Sequence, residues 1–166
     1  MALTVEDGTI VTGADSYGTV AGLRTYAAAR GATVPAADAA CEVLMIKAMD
    51  VLENEFKGMY QGLKVNNVQG LNWPRSGVVV DGYEVSYTSI PTNLINAQYA
   101  FAIEANLTDL MPNDDRKGAV ISEKVEGAVE VHYSDRGKSL STKAFAKPTA
   151  ILRPLLKTNS LWLKRA

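Results

Sequence analysis

The sequence predicts a small, mainly α-helical domain with a long central loop and one or two β-hairpins. Residues 38–58 and 91–111 show the spacing of apolar side chains that is typical of helices, and they flank a stretch rich in Gly and Asn. Inside that stretch, Asp81 and Gly82 separate two short apolar runs, which is a strong signal for a two-residue hairpin turn. With 166 residues, 47% of them apolar, the chain is long enough for one domain with a modest core.

The N-terminal part is expected to consist of an extended arm followed by a short helix. Two glycines interrupt any regular pattern in residues 1–14. Asp15 or Ser16 can cap a helix that runs to about Arg30, because these side-chain oxygens accept hydrogen bonds from the first helical N–H groups. Gly31 follows that helix, at a position that favours a left-handed end.

Residues 38–58 have the clearest amphipathic pattern in the chain. One face is charged, and on it Glu53 and Lys57 have the spacing of an i, i+4 ion pair. Gly58 is expected to end the helix. The apolar face comprises Cys41, Leu44, Met45, Ala48, Leu52 and Phe56. We expect this helix to bury the apolar face in the core and to leave the charged face in water.

The helix predicted for residues 91–111 is apolar on two faces. Only Glu104 and Asp109 are charged across this span. A helix with this composition must be buried on two sides. The second side is expected to meet either another copy of the chain or more of the same chain. The candidate residues for an interface between copies are Leu94, Phe101, Ile103 and Leu107.

The last third of the chain contains several short elements. Residues 121–133 alternate between apolar and polar side chains, and a Glu-Gly pair within them is expected to turn the stretch into a hairpin. Residues 134–147 are rich in Ser, Lys and Gly, and we expect them to be mobile. Residues 148–156 have the pattern of a short apolar helix. Residues 158–166 are both apolar and basic, and they predict a separate docking tail after a domain that spans residues 1–157.

Nothing in the sequence predicts catalysis, a metal site or a bound cofactor. The only histidine, His132, lies in the alternating stretch, and the only cysteine, Cys41, lies on an apolar helix face. Gly137-Lys138-Ser139 is similar to the end of a phosphate-binding loop, but that loop needs a glycine where this chain has His132. We therefore expect a protein that is not an enzyme. No apolar run is long enough to cross a bilayer, so we expect no membrane partner.

Trp73, Pro74 and Arg75 form the most distinctive segment of the central loop. Pro74 restricts its own φ angle and favours an extended conformation for Trp73. Trp and Arg dominate many binding interfaces, so Trp73 and Arg75 are candidate partner contacts. The alternative is that Trp73 completes the protein's own core while Arg75 lies in solvent.

The chain resembles a group of phage proteins, the head-to-tail connector (adaptor) proteins of long-tailed phages. The resemblance spans most of residues 1–156, and some members of the group carry the label "DnaT-like single-stranded DNA-binding protein". It is carried by segments that occur in a fixed order: Met1-Ala2-Leu3-Thr4-Val5-Glu6-Asp7-Gly8-Thr9, Ala14-Asp15-Ser16-Tyr17, Tyr26-Ala27-Ala28-Ala29-Arg30-Gly31, a Leu-x-Trp-Pro-Arg-x-Gly segment at residues 71–77, and Ile90-Pro91.

The resemblance implies a structural virion protein that is assembled in the host cytoplasm. Connector subunits usually form rings of twelve copies under the portal vertex and bridge the portal protein to a neck or tail-completion protein. DNA passes through the channel as cargo. A C-terminal segment commonly reaches the portal in such families. Here residues 158–166 match less well, so their candidate contacts rest on side-chain chemistry alone: Trp162, Lys164 and Arg165.

The alternative is a single-stranded DNA-binding protein of the primosomal type. Such proteins combine a basic groove with exposed aromatic side chains on which bases stack. The candidates here are two segments that combine an aromatic ring with cations, Trp73-Pro74-Arg75 and Trp162-Leu163-Lys164-Arg165, together with Tyr83 and Tyr87. The net charge of −1 leaves little counterion release to drive binding to phosphates, so we expect weak DNA binding.

Overall fold

A computed structural model describes residues 2–111, 122–125, 129–132 and 145–157. It divides into two compact units, of which the first combines Met1–Leu110 with Phe145–Ala166 and the second is Met111–Ala144. The first unit contains all the helices described here. The predicted mainly α-helical fold is confirmed. None of the described helices is long and apolar enough to cross a membrane.

Four helices pack together in the first unit. They are α1 (Val20–Ala28), α2 (Asp38–Asn54), α3 (Thr92–Leu107) and α4 (Ala146–Leu152), and a 3₁₀ turn, Arg153–Leu155, follows α4. Helix α3 contacts each of the other three helices. This central position explains why α3 is apolar on more than one face. The core that the helices enclose includes Leu23, Met45, Leu52, Leu94, Phe101 and Leu152.

Helix α1 begins later than the sequence predicts. Its N-terminal cap is Thr19, whose side chain accepts a hydrogen bond of 3.0 Å from the Gly22 N–H. Asp15 instead accepts a hydrogen bond from the Thr4 N–H at 2.8 Å, and Ser16 is buried. The expected caps, Asp15 and Ser16, were therefore wrong, because both residues connect the N-terminal arm to the rest of the domain.

The N-terminal arm folds back on itself and is not simply extended. The buried carboxylate of Glu6 accepts hydrogen bonds from the backbone N–H groups of Gly8 (2.8 Å), Ile10 (3.0 Å) and Val11 (2.9 Å). A β-bridge joins Val5 to Ser16. Glu6 thus supplies the acceptors that a tight turn lacks, which gives the opening motif a structural role.

The central stretch holds two small antiparallel strand pairs. The predicted hairpin is confirmed as β3 (Val79–Val80) and β4 (Tyr83–Glu84), with positive φ angles at Asp81 (53°) and Gly82 (85°), as a hairpin turn of the Asp-Gly type requires. The sequence did not predict the other pair, which is β1 (Leu63–Lys64) with β2 (Arg75–Ser76).

The second unit contains the predicted C-terminal hairpin. Strands β5 (Ser122–Val125) and β6 (Val129–His132) are antiparallel, with Val125 opposite Val129. The prediction that residues 134–147 are mobile falls mostly outside the described residues. The short helix expected at residues 148–156 is confirmed as α4 with its 3₁₀ turn, although α4 begins slightly earlier, at Ala146.

Candidate interaction surface

Trp73 is a core residue of the protomer. Its side chain is fully buried, and its ring meets the edge of Tyr60 at a centroid distance of 6.0 Å and an angle of 86°. Its backbone N–H donates to the Tyr17 hydroxyl at 3.2 Å, and the Trp73–Pro74 peptide bond is cis. The folded chain therefore does not offer the Trp73 ring to a partner, contrary to the expected partner contact.

Arg75 is nearly buried as well, with 8% of its surface exposed. Its guanidinium donates three hydrogen bonds to backbone carbonyls: from Nε to Gln61 (2.6 Å), from Nη2 to Gly62 (2.7 Å) and from Nη1 to Asn72 (3.2 Å). Burial lowers the pKa of Arg75. Since it donates to three carbonyls inside the loop, Arg75 holds the two sides of the loop together. It is therefore neither the predicted partner contact nor the solvent-exposed cation of the alternative.

A half-buried carboxylate, that of Glu53, also bonds to this segment. Glu53 of α2 accepts a hydrogen bond from the Tyr17 hydroxyl and another of 2.7 Å from the Asn72 N–H. The Asn72 side chain donates to the Glu53 carbonyl at 3.1 Å. Burial raises the pKa of Glu53. For Tyr17, burial and then the charge of Glu53 raise the pKa well above its usual value. The predicted Glu53–Lys57 pair was wrong because Glu53 turns inward to these partners.

Gln69 completes the internal support of the loop at residues 61–76. Its side-chain amide donates to the carbonyls of Leu71 and Pro74, both at 3.0 Å, and its oxygen accepts from the Asn66 N–H at 3.0 Å. Gln69 is itself buried. The loop therefore places polar side chains inside, where they satisfy backbone groups that would otherwise be buried without partners.

The same loop exposes aliphatic side chains. Leu63 is 75% exposed and Val68 is 78% exposed, and Val65 is also exposed. We call these three residues the aliphatic loop surface. Single exposed apolar side chains are ordinary, but three of them within residues 63–68 give one loop apolar surface that a partner could cover.

The β3–β4 hairpin exposes a second set of apolar side chains. Tyr83 is 78% exposed, and Val79 and Tyr87 are about half exposed. Two carboxylates, Asp81 and Glu84, are also exposed on this hairpin. The hairpin therefore presents aromatic surface and negative charge together.

The predicted interface residues of α3 divide into three groups. Leu94 and Phe101 are fully buried inside the protomer, so they pack on their own chain and are not exposed to another copy. Ile103 is half-buried. Leu107, in the last turn of α3, is 75% exposed. Of the four candidates, only Ile103 and Leu107 present surface that another copy could cover.

The predicted tail contacts cannot be placed on this surface. Trp162, Lys164 and Arg165 lie outside the described residues. The chain is described up to Lys157, whose N–H donates to the Met59 carbonyl at 2.8 Å. Leu156 pairs with Tyr60 in an antiparallel bridge, so residues 158–166 start from a fixed point beside residues 58–60.

Residues 1–166 match the protein family described as "Putative DnaT-like ssDNA binding protein". The chain belongs to this family. No curated protein and no solved structure matches the chain. The description of the family refers to single-stranded DNA and does not mention a connector.

Several residues that shape this family member's loop were not identified from the sequence. Tyr17 and Glu53 lie far from the loop along the chain. Tyr17 bonds to Trp73 and Glu53 bonds to Asn72 only because the fold brings these distant segments together. Gln69 gave no signal because a Gln in a polar loop has the same pattern whether it is exposed or buried. Glu53 was assigned to the charged face of α2, so its position in the sequence did not indicate these contacts either.

Proposed function

We propose that this chain is a structural subunit that assembles with copies of itself, as the connector ring between the head and the tail of a tailed phage. Two kinds of observation support the proposal. The ordered motifs resemble connector proteins over most of residues 1–156. The folded protomer also leaves apolar side chains exposed, which contact with other subunits would cover.

The aliphatic loop surface is the observation that carries the proposal. Leu63 and Val68 project from a loop whose shape is fixed by the internal hydrogen bonds of Arg75 and Gln69. Because the loop is already ordered in the free protomer, it would lose little conformational entropy when a partner binds to it. Burial of apolar side chains stabilises a contact by about 25 cal/mol for each Å² removed from water. A rigid loop with aliphatic side chains outside therefore fits a protein–protein contact.

In this proposal the partners are other copies of the chain, the portal protein and a neck or tail-completion protein. The expected arrangement is a ring, of about twelve copies by resemblance, through which DNA passes. The net charge of −1 suits a channel that does not hold DNA by phosphate contacts. The chain would act without catalysis and without a cofactor.

The second candidate is binding of single-stranded DNA, which the description of the family favours directly. Tyr83 and Tyr87 are exposed, so bases could stack on them. However, Trp73 and Arg75, which the sequence analysis also considered as DNA-binding residues, are buried. Tyr83, the more exposed of the two tyrosines, follows Asp81 closely and precedes Glu84, and the charge of these carboxylates repels phosphate.

A pair of matched variants tests the proposal. We expect the double change Leu63→Glu with Val68→Glu to prevent ring formation, seen in negative-stain images, while the circular dichroism of the helices is unchanged. Val43→Glu is the control, because Val43 is also an exposed aliphatic residue but lies on α2. Binding of a labelled oligothymidine is measured on the same samples. Monomers in every sample, with tight DNA binding, would support the second candidate and contradict the first.

A further inference from the structure

The segment that carries the β3–β4 hairpin has an unusual combination of side chains. Residues 77–91 contain Asp81 and Glu84 but no Lys, Arg or His. Tyr83 lies between the two carboxylates in sequence and is the most exposed aromatic side chain among the described residues. This hairpin therefore presents apolar surface and two negative charges of its own, and the exposed Arg153 belongs to the 3₁₀ turn that contacts β3.

That combination selects one class of partner. Nucleic acid brings a phosphate charge close to every base, and phosphates next to Asp81 and Glu84 are repelled. A segment with an aromatic or aliphatic anchor and adjacent cations suits the hairpin better, because its anchor can cover Tyr83 while its long cationic side chains reach Asp81 in the turn or Glu84 around the strand edge. The hairpin thus fits a basic, apolar peptide.

The chain itself contains such a segment. Residues 158–166 read Thr-Asn-Ser-Leu-Trp-Leu-Lys-Arg-Ala, with one large anchor, two adjacent cations and no carboxylate side chain. We propose that the β3–β4 hairpin of one copy binds residues 161–165 of a second copy. The proposal rests on the self-assembly proposed above, which supplies the second copy. It assigns these residues a partner within the assembly, where the resemblance had suggested the portal.

The position from which this segment starts is consistent with the proposal. Lys157 is fixed beside Met59, and the 3₁₀ turn Arg153–Leu155 contacts β3 of its own protomer. The last described residue, Lys157, therefore lies on the same side of the protomer as that protomer's own hairpin. Nine residues span at most roughly 30 Å when extended. Subunits that sit side by side would bring a neighbour's hairpin within that distance.

Charge exchange between copies tests the contact in the full-length chain. One variant carries Asp81→Lys and Glu84→Lys, and the other carries Lys164→Glu and Arg165→Glu. We expect each variant alone to associate at least about tenfold more weakly than the wild type in sedimentation equilibrium, since like charges then meet. We expect an equal mixture of the two to recover the wild-type affinity, because each altered segment then meets an opposite charge on the other variant.

A control separates this contact from general charge effects. Asp50→Lys with Glu55→Lys makes the same change in net charge as the hairpin variant but on exposed residues of α2 and its end, and we expect it to leave association unchanged. If the wild type associates but the mixture stays as weak as its components, the proposed contact is wrong while self-assembly stands. A third variant carries all four changes in one chain. If this variant recovers the wild-type association but the mixture does not, the segment binds its own hairpin, and that result would also overturn the proposal. A wild type that stays monomeric would contradict the self-assembly as well.

Discussion

The loop at residues 61–76 and the hairpin segment at residues 77–90 follow each other directly but are stabilised in opposite ways. The loop buries polar side chains, such as Arg75 and Gln69, against its own carbonyls and leaves aliphatic side chains outside. The hairpin is held by a two-residue turn, and its Tyr83 and Glu84 point to solvent. The residue types that usually mark a binding site are therefore structural in the loop and exposed in the hairpin.

This difference shows that the presence of Trp or Arg does not by itself distinguish a binding site from a structural role. Trp and Arg are frequent in binding interfaces because they offer large area and many donors. The same properties allow Trp73 to fill the core between Tyr60 and its neighbours, and allow Arg75 to satisfy three carbonyls at once. Which use prevails depends on contacts that form only in the fold. Trp73 contacts Tyr17 and Tyr60, and Arg75 bonds to carbonyls on the other side of the loop.

The largest expected effect is a difference in unfolding free energy between a substitution in the loop and one in the hairpin. Trp73→Ala should lower the free energy of unfolding by about 3–5 kcal/mol, because it removes a fully buried ring and leaves a cavity. Tyr83→Ala should change it by less than about 0.5 kcal/mol, because Tyr83 is mostly exposed. Urea unfolding followed by circular dichroism measures both. Equal losses of unfolding free energy in the two variants would contradict a structural role for Trp73 and an exposed position for Tyr83.

Arg75 offers a second contrast. Arg75→Lys should lower the free energy of unfolding by about 2 kcal/mol, since an ammonium group cannot reach three carbonyls that a planar guanidinium spans. The same change at Arg153, which is exposed, should have almost no effect. The measurement is again the urea midpoint. A stable Arg75→Lys variant would mean that the charge alone, and not the geometry of the donors, holds the loop.

Two glycines with positive φ angles give a matched test of packing. A Cβ at Gly62 would lie 2.1 Å from the Ser76 carbonyl oxygen, whereas a Cβ at Gly82 would have no heavy atom within 4 Å. Gly82→Ala should therefore cost only the conformational penalty of about 1–2 kcal/mol. Gly62→Ala should cost roughly 1–3 kcal/mol more because the β1–β2 pair must shift. Thermal unfolding of both variants gives the difference, and equal melting temperatures would contradict the close approach at Gly62.

The smallest expected effect is a pH dependence from Glu53. Burial raises the pKa of Glu53 above its usual value near 4.5, so the folded state holds the proton more tightly than the unfolded chain does. The preference of the folded state for protonated Glu53 therefore stabilises the protein fully at pH values below the usual pKa. This stabilisation is lost as the pH rises through the raised pKa of the folded state. Glu53→Gln should flatten this part of the curve of unfolding free energy against pH. If the wild-type curve does not fall in this window, or the variant falls equally, Glu53 is not the group responsible.

The sequence predicted those parts of the fold that depend on local patterns. The stripe on α2 and the Asp81-Gly82 turn each contain their own signal, so α2 and the β3–β4 hairpin were found at nearly the right residues. The same holds for the helix at residues 92–107, whose central position was one of the two alternatives that its apolar faces allowed.

The parts that were missed depend on partners distant in sequence. The β1–β2 pair has only two residues in each strand and follows from the hydrogen bonds of Arg75 with the other side of the loop. The start of α1 shifted because Asp15 and Ser16 bond to the arm and to α3. For the same reason Trp73 and Arg75 could be singled out from the sequence, but their burial could not be predicted.

The most direct test of the central claim, that this chain builds an assembly through its exposed apolar surfaces, is sedimentation velocity of the purified full-length chain. The experiment covers a range of protein concentrations at physiological salt, with and without a fluorescent single-stranded oligonucleotide. We predict one large, discrete species that forms without DNA and leaves the oligonucleotide at the top of the cell. A monomer that sediments together with the oligonucleotide, and loses it as salt is raised, would contradict the claim.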